Sequence, residues 1–262
     1  MVRKIRFDEV SITTFMPSPY PSELSEEANG RVAYFIGPHG VGKSTLIKNL
    51  KEAEDGIDVV EQISHMETLT EMMNRQIWRS SLHIIEHREN IVAAMESPEN
   101  IILGDRCTLD DVMYQTAFLE LGWITQEQFN NLEKLQEQTF SLTETPQPMR
   151  FILTIPPYPW NVARIEERWR KNEPVKWREN DLGYLKKVRD AYEVLAAEKR
   201  EPDELLLVRE TDEEERTRLI LEWFATWDPV RKKAKEEEAD ALLAQGTTYT
   251  ERQESYRRNY NS

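Results

Sequence analysis

The sequence predicts an α/β domain, a parallel sheet of five strands covered by helices on both faces. Three observations predict it. Short, nearly all-apolar runs alternate with longer helical patterns, as strands buried on both faces of a parallel sheet do. Each run stops at Gly, Pro or a charged residue. The first run also leads directly into a glycine-rich loop and then a helix.

The elements follow in order. Residues 1–29 mix charge, Pro and Ser, with Pro17, Pro19 and Pro21 closely spaced, and are expected to form a surface or partly disordered extension. Val32 to Ile36 is short, apolar and rich in strand formers. Ser44 to Glu52 reads as a helix, and Ile57 to Val60 as a second strand ending at Glu61. A helical pattern runs from Glu67 to Glu96, with a break expected near Ser80-Ser81, before a third strand at Ile101 to Gly104. Residues 109–121 and 126–143 form two helices parted near Gly122. Phe151 to Ile155 is a fourth strand, stopped by Pro156-Pro157. Helical patterns at 160–171 and 181–199, a fifth strand at Leu205 to Val208 and a last helix at 212–227 complete a domain of residues 30–227. Residues 228–262 are a charged tail, helical over Arg231 to Asp240.

Composition narrows the function classes. Of 262 residues, 39% are hydrophobic, enough for a sizeable core, while 31% are charged and the mean hydropathy is −0.68. The formal charge of −14 opposes a broad, non-specific grip on nucleic acid, which needs clustered Lys and Arg. A single cysteine, Cys107, excludes an intrachain disulfide and suits a reducing compartment. No apolar run approaches the roughly 20 residues that cross a bilayer, and the N-terminus lacks the apolar core of a secretory signal. A soluble intracellular protein with no membrane partner is expected.

Gly37-Pro38-His39-Gly40-Val41-Gly42-Lys43-Ser44-Thr45 fits the phosphate-loop pattern G-x-x-x-x-G-K-[ST] without a mismatch. Glycines let backbone N–H groups turn inward around phosphates. Lys43 supplies a point charge to the β- and γ-phosphates, and the Ser44 hydroxyl can ligate Mg²⁺. The helix that begins there aims its positive end at the anion. The motif predicts binding of ATP or a close relative. An AAA-type or motor ATPase would show an apolar strand ending in Asp-Glu, whereas Asp105 is followed by Arg106. There is no Asn-Lys-x-Asp guanine motif, so a small-molecule kinase is favoured.

Asp105-Arg106, at the end of the third strand, belongs at the carboxyl edge of a parallel sheet, as the phosphate loop does. The carboxylate can hold Mg²⁺, and the guanidinium fork can clamp a phosphate or polarise an acceptor. The segment Asp105-Arg106-Cys107-Thr108-Leu109-Asp110-Asp111-Val112-Met113-Tyr114-Gln115 resembles the Asp-Arg-Tyr-x-x-Ser-x-x-Ala-Tyr-Gln segment of thymidylate kinases. Related deoxynucleoside kinases carry an acid-Arg-Ser motif at this place. Arg164-Ile165-Glu166-Glu167-Arg168-Trp169-Arg170 looks like the lid segment of that family, and Asn180 to Tyr192 resembles the helix after it. The likeness spans about residues 31–227 in order.

That resemblance implies a P-loop nucleoside monophosphate kinase-like fold with a five-stranded sheet and a helical lid at about 158–180. It implies phosphoryl transfer from Mg-ATP, with Mg²⁺ on Ser44 and Asp105, to a deoxynucleoside monophosphate, or alternatively to a deoxynucleoside. Arg106 would contact the phosphate or reacting hydroxyl of the acceptor, while Tyr114 and Gln115 would shape its pocket. Arg164, Arg168 and Arg170 fall within about a turn of one another, so at least two are expected to face the phosphates. A homodimer is expected from the family, through helices near 82–96 and 109–121.

Several residues depart from the pattern. His39 stands where thymidylate kinases usually carry an acid, Cys107 replaces the aromatic, and Asp110 replaces the Ser. No Arg lies in the phosphate loop, so an arginine near the γ-phosphate is expected from the lid or a partner. Glu61 occupies the place of the general base of deoxynucleoside kinases, or is a solvated strand-end carboxylate. Arg88 is the candidate acceptor-side arginine, in competition with Arg75 and Arg79. His83 and His87 at i,i+4 lack a carboxylate signature for zinc. Of Trp160, Trp169 and Trp177 around the lid, two are expected to serve packing. Two further classes are a kinase acting on a nucleotide within DNA, using the basic, aromatic end of the tail, and a non-catalytic nucleotide sensor.

Overall fold

A computed structural model describes residues 23–60, 72–173, 178–198 and 200–227. In chain order they form α1 (Glu26–Asn29), β1 (Val32–Ile36), α2 (Lys43–Ala53), β2 (Ile57–Val59), α3 (Met72–Glu96), β3 (Ile101–Asp105), α4 (Thr108–Glu120), α5 (Gln126–Leu142), β4 (Arg150–Thr154), α6 (Tyr158–Arg170), α7 (Leu182–Ala197), β5 (Leu205–Val208) and α8 (Glu213–Ala225). The five strands make one parallel sheet in the order β2-β3-β1-β4-β5. The expected fold class is therefore observed. β1 is buried along its whole length and β3 and β4 nearly so, whereas the edge strands β2 and β5 are half-exposed, since each lacks a neighbour on one side.

The described residues fall into two compact units, divided within β1. One holds residues up to Tyr34 together with Gly56–Met149; the other holds Phe35–Asp55 and the chain from Arg150. In the first, α3 packs on β3, α4 and α5. In the second, α8 packs on α2 and β5. Caps set the helix starts where sequence placed them. Thr125 and Gln128 form a reciprocal capping box on α5, and Asp181 and Asp212 cap α7 and α8 through Tyr184 N and Glu215 N.

Two expectations need correction. The stretch read as a surface extension ends in α1, whose Ala28 and Asn29 are buried, and Asn29 Nδ2 donates to Gln147 O. Residues 1–22 and the tail from 228 lie outside the described residues. The break expected near Ser80-Ser81 does not occur, and α3 runs unbroken for 25 residues. Ser81 Oγ donates to Ile77 O one turn back, and Ser80 Oγ accepts from Gln115 and Gln136, so both hydroxyls are satisfied without interrupting the helix. The histidines of α3, read as lacking a zinc signature, are held by other polar groups. His87 Nε2 donates to Pro146 O, which leaves Nδ1 to accept from the Tyr34 hydroxyl at 2.7 Å; Asn90 donates to that same hydroxyl. Burial drives the pKa of His87 down to about 4, in keeping with a neutral ring.

This polar chain fixes the Tyr34 ring, and the backbone of β3 passes against it at Gly104. A Cβ at Gly104 would lie 2.3 Å from Tyr34 Cε1 and 2.5 Å from Cδ1. Because Tyr34 is fully buried and tethered through its hydroxyl, it cannot step aside. Gly104→Ala is expected to destabilise the fold by about 1–3 kcal/mol, the usual cost of overpacking a core, measurable by urea unfolding.

Candidate functional site

The phosphate loop is shaped by its glycines. Gly37, Gly40 and Gly42 have φ of 143°, 75° and 81°, a region that side-chain-bearing residues rarely enter. Each glycine also meets a close neighbour. A Cβ at Gly37 would lie 2.3 Å from Thr154 O, and one at Gly40 would lie 2.7 Å from Ile165 Cγ1 on α6. Lys43, buried in the first turn of α2, folds back so that Nζ donates to Gly37 O at 2.6 Å and Pro38 O at 3.0 Å. Val41 is buried, Thr45 half-buried, and Ser44 exposed on the first turn of α2.

Helix α6 lies along this loop, and its residues have separate fates. Asn161 Nδ2 donates to His39 O. The Arg164 guanidinium comes within 3.2 Å of where a Cβ of Gly42 would sit, pairs with Glu213 at 3.1 Å and lies over the Trp160 ring. Arg168 pairs with Glu179 at 2.7 Å. Arg170 is exposed, 3.8 Å from Glu166. Only one of the three expected lid arginines thus reaches the loop. Residues 164 and 168 are about one turn apart, but 170 is rotated away.

A missed arginine takes the second place. Arg216 of α8 is fully buried and donates from Nη2 to Val41 O at 2.6 Å. It was expected from the lid or a partner; a helix pattern gives no sign that an arginine in it points inward. Glu179 was missed as well. Its carboxylate is almost fully buried, and it meets His39 Nδ1 at 3.3 Å as well as Arg168. His39 Nε2 lies 3.1 Å from the Tyr184 hydroxyl. An acid absent from the loop sequence is thus brought to the loop by the chain ahead of α7.

The second group lies in the other unit, at the C-terminal end of β3. Arg106 adopts φ 84°, a strained value for a residue with a side chain, and its Nη1 donates to Asp110 Oδ2. Arg79 of α3 reaches Asp110 at 3.3 Å and Asp111 at 2.8 Å, and His83 Nδ1 lies 2.8 Å from Asp111. Both aspartates are fully buried. The guanidiniums of Arg79 and Arg106 lie 5.0 and 5.1 Å from the Tyr114 ring centroid; burial pushes its hydroxyl pKa up to about 12. Arg79 therefore joins Arg106, whereas Arg88 donates to Thr143 O at the end of α5. Gln115 is buried and donates to Ser80 Oγ, and its Oε1, like that of Gln76 on α3, is buried without a hydrogen-bond partner among the described residues. Cys107 is buried as well.

Glu61 and Trp177 lie outside the described residues. Trp160 carries two guanidiniums, and Trp169 has its indole N–H buried. Among the described residues no three His, Cys, Asp or Glu side chains gather to hold a metal by themselves. Ser44 on the first turn of α2 and Asp105 at the end of β3 each carry a hard oxygen donor. No helix among these residues is long and apolar enough to cross a membrane.

The Glu179 contacts give a pH signature. Burial alone would raise its pKa, but hydrogen bonds from His39 and Arg168 overcome this and hold it at about 2. The folded-state value is depressed, so its stabilisation is full above the unfolded value near 4.5 and is lost as pH falls from there toward 2. Glu179→Gln is expected to lower stability at pH 7 by on the order of 3 kcal/mol, with the difference from wild type shrinking below pH 4.5 in denaturant titrations run across that range.

Comparison with known proteins follows this geometry. No curated protein matches the sequence. Deoxyadenosine kinase from M. mycoides, solved with the products dCMP and dCDP, matches with a TM-score of 0.55 and 16% identity over 74% of this chain and 99% of that one. The same enzyme with bound dATP matches with a TM-score of 0.52 and 17% identity over 73% and 97%. At such identity the likeness establishes a shared fold. The family model described as an AAA domain matches residues 32–256. AAA-type ATPases were set aside above for want of an Asp-Glu strand end. At the level of the family that exclusion is corrected, although Asp105-Arg106 remains the pair present. Over residues 32–256 the chain belongs to the AAA domain family.

Proposed function

We propose that this protein transfers the terminal phosphoryl group of Mg-ATP to a hydroxyl of a deoxynucleoside. The observation that carries the acceptor assignment is the pairing of Arg106 and Arg79 with Asp110 and Asp111. Two guanidiniums face two carboxylates, which compensates their charge. An acceptor that already carried a phosphate would bring a dianion against Asp110, whereas a sugar hydroxyl meets no such repulsion. Asp110 stands where thymidylate kinases have a Ser. For this reason the nucleoside reading is preferred here to the monophosphate reading that the Tyr114-Gln115 segment and lid favoured.

On the donor side, Lys43 and Arg164 would neutralise the polyphosphate, and the N–H groups of Gly40 to Lys43 would cradle it. Ser44 and Asp105 would hold Mg²⁺, which supplies charge neutralisation to the phosphates. Arg106 would orient the accepting hydroxyl, and Glu61 would accept its proton. The buried carbonyl oxygens of Gln76 and Gln115 are suited to the hydrogen-bonding edge of a base, since an amide offers both a donor and an acceptor. The apolar stripe of Ile77, Trp78 and Ile85 exposed on α3 supports the proposed homodimer.

An assay with radiolabelled ATP against a panel of deoxynucleosides and their monophosphates tests this. Transfer to free deoxynucleosides is expected, and activity confined to monophosphates would overturn the acceptor assignment. Lys43→Ala and Arg106→Ala are each expected to lower turnover by about a hundredfold or more while the circular dichroism spectrum stays unchanged. Near-normal turnover in either variant refutes the role given to that residue.

A further inference from the structure

We propose that Arg216 of α8, acting with Arg164, is a buried anion clamp for the polyphosphate of the bound nucleoside triphosphate. This rests on the phosphate-binding reading of the loop and adds to it a residue from outside both the motif and the lid.

Three observations carry it. First, Arg216 is 0% exposed, yet its only hydrogen bond among the described residues is from Nη2 to Val41 O; Nε and Nη1 have no partner. Buried guanidiniums ordinarily satisfy their donors, because unpaired burial of a charge is costly. Second, Nη1 is not turned into apolar packing. It comes within 3.4 Å of the position of a Gly42 Cβ, where Arg164 Nη1 also approaches, at 3.2 Å. Gly42 is the N-cap of α2 and provides no side-chain cap, so the positive end of an 11-residue helix meets two guanidiniums. Third, the two arginines share one aromatic neighbour, with Arg216 Cζ 5.5 Å and Arg164 Cζ 4.7 Å from the Trp160 ring centroid.

The charges near this point do not balance. Arg164 is met by Glu213, a partly exposed side chain, and Arg216 has a carbonyl rather than a carboxylate. Burial and then the charge of Arg164 pull the Arg216 pKa down to about 10, against weaker support from Glu213 and Glu210, so it still carries its charge at neutral pH. If Arg216 served only to brace Val41 O, one neutral donor would suffice and the second cation would be a pure cost. A polyanion arriving at the loop supplies what the chain lacks, since its oxygens can accept from the unused guanidinium donors.

The test uses the full-length chain and calorimetric titration with inorganic tripolyphosphate and with ATP, on wild type, Arg216→Met and Arg164→Met. Wild type is expected to bind both ligands. Arg216→Met is expected to weaken both by a similar factor, about tenfold to a hundredfold, the loss that accompanies a charge-assisted hydrogen bond. If Arg216→Met does not fold, Arg216→Lys decides by the same readout. It keeps the charge and a donor for Val41 O but loses the fork, and a loss of about tenfold with a near-normal melting temperature supports the clamp. Unchanged tripolyphosphate affinity in the folded variant, with a lowered melting temperature, makes Arg216 a brace and overturns the inference while nucleotide binding stands. A loss for ATP alone places the contact on base or sugar and also overturns it. A wild type that binds neither ligand sinks the phosphate-binding reading itself.

Discussion

The backbone path from Ile36 to Lys43 is the constraint on which the donor side depends. It turns through positive φ at Gly37, Gly40 and Gly42, and at each point something solid lies where a side chain would begin: Thr154 O, Ile165, or the guanidiniums of Arg164 and Arg216. The loop is therefore held open by packing from outside. Lys43 occupies the carbonyls of Gly37 and Pro38 at its rim. Helix α6 could not lie so near if Gly40 carried a Cβ.

Around that loop, charge does what apolar packing cannot. Glu179 draws His39 and Arg168 together in a nearly waterless place, and the geometry suits a carboxylate held far below its ordinary pKa. In the other unit, the same principle acts with opposite emphasis. Asp110 and Asp111 are fully buried and are paired with Arg79, Arg106 and His83, with the Tyr114 ring about 5 Å from both guanidiniums. Such clusters add little net stability over apolar packing, but removing one partner leaves a buried charge alone. They fix where the arginines point.

Strain and satisfaction also divide between the groups. Arg106 holds a positive φ that its side chain disfavours, directly after β3, and the pairing with Asp110 one turn into α4 keeps it there. His87, Tyr34 and Asn90, by contrast, close a hydrogen-bond chain to Pro146 O and lock β1 to α3 within the first unit. The first arrangement is the kind that chemistry uses, and the second is the kind that folding uses.

The sequence by itself determined the order of elements and the strand–loop–helix setting of the phosphate loop, because strand runs and glycine turns act over a few neighbouring residues. β5 was legible to the residue, and α7 and α8 to within two residues at each end. The unbroken course of α3 was not, since whether Ser80 and Ser81 disturb a helix depends on Gln115 and Gln136, 35 and 56 residues from Ser80. Likewise only tertiary structure decided that Arg79 rather than Arg88 joins Arg106, that Glu179 supplies His39 with an acid, and that Arg216 reaches the loop 175 residues before it. Helical periodicity says which residues share a face, but the burial of a charge is decided by the partner it meets, and that partner lies far along the chain.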